Sequence, residues 1–121
     1  MDDGHRIDRA ALEELFANIR AKTSWPIDGD MLWGYFFADT DRDKLERCGR
    51  ELEALGYRFV GVQKPEPEDD DDETLFLRVE RIETHTVDTL EERNMELYAL
   101  ADRLGLQTYD GMDVNPVPLP N

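Results

Sequence analysis

The order of elements along this chain predicts an α+β fold: a ferredoxin-like β-α-β-β-α-β sandwich with a four-stranded antiparallel sheet and an extra N-terminal helix. Three observations carry that expectation. Apolar residues recur at helical spacing in three stretches, around Leu12–Ile19, Leu45–Leu55 and Leu90–Leu104. Between them lie stretches of strand character: MLWGYFFA (31–38), YRFVGV (57–62) and TLFLRVERIET (74–84). Strands two and three are joined only by the acidic segment Pro65–Glu73, so they should form an antiparallel hairpin with that segment at its tip.

Each element has a local justification. The first helix is expected from about Asp8 to Lys22, with Asp8 as N-cap and Ile7 and Leu12 placed as a hydrophobic staple. Ser24-Trp25-Pro26 ends it, and Asp28-Gly29-Asp30 makes a turn. Met31–Ala38 is apolar or aromatic at nearly every position, the pattern of a strand covered on both faces. Thr40 should cap the second helix, with Asp43 three residues on, Leu45, Cys48, Leu52 and Leu55 as its apolar seam, and Gly56 at its C-terminal end. In strand three, Leu75, Leu77 and Val79 alternate with Phe76, Arg78 and Glu80. Ile82 falls out of that phase, which points to a bulge or an edge position near Arg81. Thr89 and Glu92 mark the start of the third helix and Gly105 its end. Leu106–Tyr109 reads as a short last strand closed by Asp110-Gly111. The chain is expected to be one domain over 1–121, with a core over about 7–112 and an extended, proline-rich tail over 113–121.

Charge narrows the function. The formal net charge is −15, and it is unevenly spread. Residues 1–64 hold 13 acids and 10 bases, net −3; residues 65–73 hold seven acids and no base; residues 74–121 hold nine acids and four bases, net −5. Such a surface repels phosphate backbones and anionic membranes, so direct nucleic-acid and membrane binding are not expected. It attracts a cation or a basic segment of another protein. A single cysteine, Cys48, precludes an intramolecular disulfide and fits a cytoplasmic address.

Catalytic and metal-binding patterns are missing from the sequence. His5 and His85 adjoin no nucleophile motif, and Cys48 falls on the apolar seam of helix two, the place of a buried, inert thiol. The run Asp69–Asp72 lacks the alternating ligands and central glycine of a calcium loop. Glu80, Glu83 and Asp88 offer carboxylate pairs of the kind unavoidable in so acidic a chain. No enzyme activity, metal or cofactor is expected. Trp25, Trp33, Tyr35, Phe36 and Phe37 are read as core aromatics, because a single-strand-binding platform would surround them with Lys and Arg.

The segment DTDRDKLERCGRELEALGYRFVGV (39–62), with Leu55-Gly56-Tyr57 at its helix-to-strand joint, and LQTYDGM (106–112), with Tyr109-Asp110-Gly111, together resemble the ribonuclease E activity regulator B (RraB-like) family over roughly residues 30–112. The resemblance implies a ferredoxin-like fold and a non-catalytic inhibitor that binds ribonuclease E, the endoribonuclease that initiates RNA decay, through an arginine-rich region. The family commonly carries a tryptophan where Met112 stands here, and a long acidic C-terminal tail where this chain is proline-rich. The expected partner contacts are Glu66, Glu68, Asp69, Asp70, Asp71, Asp72 and Glu73, with Tyr109, Asp110 and Gly111 as a second set. The plainer account of the second set is a turn. The alternative function is a stand-alone interaction or immunity-type domain with an unrelated partner, forming a homodimer through its exposed sheet or edge strands.

Overall fold

The computed structural model describes residues 7–64 and 73–117. Among them the order is α1 (Arg9–Lys22), β1 (Met31–Asp39), α2 (Arg42–Ala54), β2 (Arg58–Gln63), β3 (Leu75–Glu83), α3 (Val87–Leu104) and β4 (Thr108–Asn115). The strands form one sheet in the order β2-β3-β1-β4, with every neighbouring pair antiparallel. This is the expected α+β, ferredoxin-like arrangement, with α1 as the addition. The helices lie against one face of the sheet and leave the other open.

Strand β1 runs through the middle of the sheet, which is why its sequence is apolar almost throughout. Met31, Trp33, Tyr35 and Phe37 are fully buried on the helix side. Phe16 of α1 stacks on Trp33 with ring centroids 6.1 Å apart, Tyr57 meets Tyr35 edge-on at 5.9 Å, and Tyr109 lies 5.2 Å from Phe37. Side chains of this size contribute on the order of 1.5–3 kcal/mol each when taken out of water. Together they tie both edge-side elements to the central strand.

Asp8 caps α1 as expected, its Oδ1 accepting from the Ala11 N–H at 2.9 Å. Two other caps differ from expectation. Asp41, not Thr40, caps α2, its carboxylate accepting from the Asp43 and Lys44 N–H groups. Asp39 explains the difference: it is buried, and its two oxygens accept from the N–H of Asp41 at 2.7 Å and of Gln107 at 2.9 Å. The end of β1 is thereby fixed one residue later, and the cap moves with it. At α3 the cap is Thr86, and Thr89 is the reciprocal partner in its capping box, so the helix starts at Val87. Leu55, expected on the seam of α2, is 64% exposed because the helix ends at Ala54 and Gly56 turns the chain into β2.

The irregularity expected near Arg81 is not in β3, which pairs without interruption with β1 from Leu75 to Glu83. The phase change has a different cause. Arg81 and Glu83 take core-facing positions opposite Trp33 and Met31, while Ile82 faces outward and is exposed. A polar cluster, described below, makes that placement tolerable. The bulges lie instead on the two edge strands. In β2 the register shifts between Phe59 and Gly61, and opposite β4 it shifts between Phe36 and Phe37.

Candidate protein-binding face

The open face of the sheet is built by the even-numbered residues of β1 and β3. Across it runs a chain of ion pairs: Arg58 to Glu80 at 3.2 Å, Glu80 to Arg78 at 3.4 Å, and Arg78 to Asp113 at 3.0 Å. The last pair reaches from β3 to β4 over the intervening β1. Gly34 is what lets it do so, since a Cβ there would stand 2.5 Å from the Arg78 guanidinium and from Asp113 Oδ1. Arg78 also lies over the Phe36 ring, 5.0 Å from its centroid.

Beside this network the two bulges converge. Val60 is the extra residue of β2 and Asp110 that of β4, because Phe59 and Gly61 pair with Val79 and Arg78, and Tyr109 and Gly111 with Phe37 and Phe36. Val60 and Gly61 on one edge and Asp110 on the other thereby line the open side, whereas a Cβ at Gly111 would stand 3.7 Å from Ile7 Cδ1. Gly111 has φ +132°, a backbone state that a side chain would strain. Val60, Phe76, Phe36 and Asp110, one from each strand, line a cleft of about 380 Å³ that crosses the sheet, with Gln63, Lys64 and Arg78 around it. The Asp110 carboxyl is raised above its ordinary value by partial burial. It makes no hydrogen bond or ion pair with any described residue.

The expected contact residues fall in three places. Glu66, Glu68 and Asp69–Asp72 lie outside the described residues. Glu73 is exposed just before β3. The second set is divided by the sheet: Tyr109 is 1% exposed in the core, whereas Asp110 is exposed on the bulge. Asp110-Gly111 does not close a strand over Leu106–Tyr109 as expected, because β4 starts at Thr108. Strand β4 continues through Asp110-Gly111 to Asn115, with the bulge absorbing the extra residue. The Tyr109 hydroxyl donates to Asn94 Oδ1 at 2.7 Å, and burial raises its pKa. Val60 and Phe76 were not singled out from sequence. The available signal was the pair of hydrophobe- or acid-glycine steps, VG at 60–61 and DG at 110–111, each within a strand-like run.

A second polar constellation lies on the helix side. Glu83 accepts from the Tyr35 hydroxyl at 2.7 Å, lies 2.9 Å from His85 Nε2, and pairs with Arg93 and, at 3.7 Å, Arg81. His85 Nδ1 is 2.9 Å from the Thr89 hydroxyl. Burial opposes the charge on Glu83. The hydrogen bonds from His85 and Tyr35 and the field of Arg93 outweigh it and hold the carboxyl at about 2. Cys48 is buried beside none of these groups, and burial pushes its thiol up to about 12. These are the features of a structural cluster: both oxygens of Glu83 are occupied and no activated nucleophile adjoins it, although Arg93 Nε and the Tyr57 hydroxyl are buried without a hydrogen-bond partner among the described residues. Among the described residues no three His, Cys, Asp or Glu side chains are grouped to hold a metal ion. No helix among them is long and apolar enough to cross a membrane.

A family model described as "Regulator of ribonuclease activity B" matches residues 9–114. The chain belongs to that family. The match runs from the first residue of α1 to the penultimate residue of β4, so the N-terminal helix is part of the RraB domain and not an appendage to it. Both bulges of the RraB sheet and its open face fall inside the match. No curated protein matches the chain at a significant level.

Proposed function

We propose that this protein is a non-catalytic regulator that binds ribonuclease E in the cytoplasm and lowers its activity through protein–protein contact. The observation that carries the proposal is the family match over residues 9–114. The charge distribution supports it from a different direction. Seven carboxylates in nine residues join β2 to β3, on a chain of net charge −15, and they favour a basic segment as the surface that is met first. Glu66, Glu68, Asp69–Asp72 and Glu73 would attract that segment, and Asp110, on β4 at the far end of the cleft that crosses the open face, would receive it. Tyr109 and Gly111 serve by holding Asp110 in place.

Replacing Asp69–Asp72 together with asparagine tests this. Opposite fields raise association rates by tenfold or more at low salt, and screening removes the effect. The variant should therefore associate about tenfold more slowly with purified ribonuclease E at low ionic strength and converge on the wild type as salt rises. A wild-type protein that neither captures ribonuclease E nor reduces its cleavage rate would refute the reading.

A further inference from the structure

We propose that the cleft crossing the open face of the sheet is a subsite for one arginine side chain of the basic partner segment, with the stem on Val60 and Phe76 and the guanidinium at Asp110. The inference deepens the regulator reading and rests on it for the partner's basic character. An arginine is an apolar stem ending in a planar cation, and the cleft is an apolar floor ending in a carboxylate.

Three features favour this occupant. Asp110 is an exposed carboxylate with no cation of its own among the described residues, in surroundings apolar enough to disfavour its charge. An incoming guanidinium relieves that cost, and a neutral side chain does not. The nearest internal cation, Arg78, is not free to serve, because Asp113 and Glu80 hold it over Phe36. That contact shows a guanidinium already resting on one ring of this face, while Phe76 pairs with no ring or cation among the described residues. Finally, the extra residues of both bulges, on opposite edges of the sheet, meet in this one cleft. Bulges re-aim side chains at the price of ladder hydrogen bonds, and here both re-aim toward the same space. Lys64 opposes a cation at the β2 end, but the seven carboxylates that follow it in sequence outnumber it.

The test is a titration of the full chain, followed by amide chemical shifts, with a short alanine-spaced peptide carrying arginine, and with the same peptide carrying lysine or the uncharged isostere citrulline. The arginine peptide should shift the amides of Gly61, Phe76 and Gly111. Affinity should fall about tenfold in Asp110→Asn, a few-fold in Phe76→Ala and with lysine, and below detection with citrulline. Shifts confined to other residues, or equal affinities for the wild type and both variants, would overturn the subsite. Capture of ribonuclease E by the same proteins separates the two claims. If the wild type captures none while the peptide behaves as expected, the ribonuclease reading falls and the subsite stands. If Asp110→Asn and Phe76→Ala capture it as well as the wild type, the subsite falls and the regulator reading stands.

Discussion

Tyr109→Phe removes one oxygen atom from a site where its loss is fully felt. The Tyr109 hydroxyl is buried and donates to Asn94 Oδ1 at 2.7 Å, and Asn94 is itself buried with its Nδ2 lacking a partner among the described residues. After the substitution the Asn94 side chain would make no hydrogen bond at all. An unsatisfied buried acceptor costs about 1–3 kcal/mol, and the phenylalanine ring preserves the contacts with Phe37 and Tyr98, so no cavity cost is added. For a domain of this size that corresponds to a fall in Tm on the order of 3–10 °C. Equilibrium urea unfolding of Tyr109→Phe, Asn94→Leu and the double variant measures it. The double variant should recover part of the loss, because the orphaned amide is then gone. Binding to ribonuclease E at a temperature where the variant remains folded should be unchanged, in contrast to Asp110→Asn. A loss below about 0.5 kcal/mol, or strict additivity in the cycle, would show that the hydrogen bond does not constrain the core as described.

Two further expectations concern charge. Glu83 is held at about 2 against an ordinary value of 4.5, so its contribution to stability is fully present above about pH 4.5 and is lost as pH falls toward 2. The linkage is about 3 kcal/mol, and the stability lost on acidification should be smaller by that amount in Glu83→Gln; an identical loss would refute the assignment. Gly34→Ala places a Cβ among the Arg78 and Asp113 head groups, which are flexible enough to separate. Loss of the partly exposed pair, about 0.2–1 kcal/mol, should nearly offset the gain of about 0.5–1 kcal/mol from removing a strand glycine. The net stability should barely change while the coupling between Arg78 and Asp113, measured by a double-mutant cycle, disappears; a retained coupling would sink the bridging role of Gly34.

The architecture was legible because local and global signals agreed. Helix stripes at Leu12–Ile19 and Leu90–Ala101, the apolar run of β1 and the hairpin flanking Pro65–Glu73 all led to the ferredoxin-like, four-stranded antiparallel sheet that is found. The errors arose where side chains satisfy distant backbone. Asp39 looks like a loop residue until Gln107, far along the chain, is seen to donate to it. Arg81 and Glu83 break the alternation of β3 because partners on Tyr57, His85 and α3 make polar residues acceptable on the core side. Asp110-Gly111 has the local chemistry of a turn and of a bulge alike, and only pairing with Phe36 and Phe37 decides between them. The cleft was illegible for the same reason: its four walls come from four strands, and no stretch of sequence contains two of them side by side.

The placement of the bulges on β2 and β4 has a consequence for self-association. These are the two edges of the sheet, where a strand from another copy would add most readily. Such a strand would meet a break in hydrogen-bond spacing at Val60 on one side and at Asp110 on the other, with Arg58 and Asp113 flanking them. Neither edge offers a long, regular template for cross-β growth. The protein can thus leave an entire sheet face uncovered without becoming a seed for fibrils.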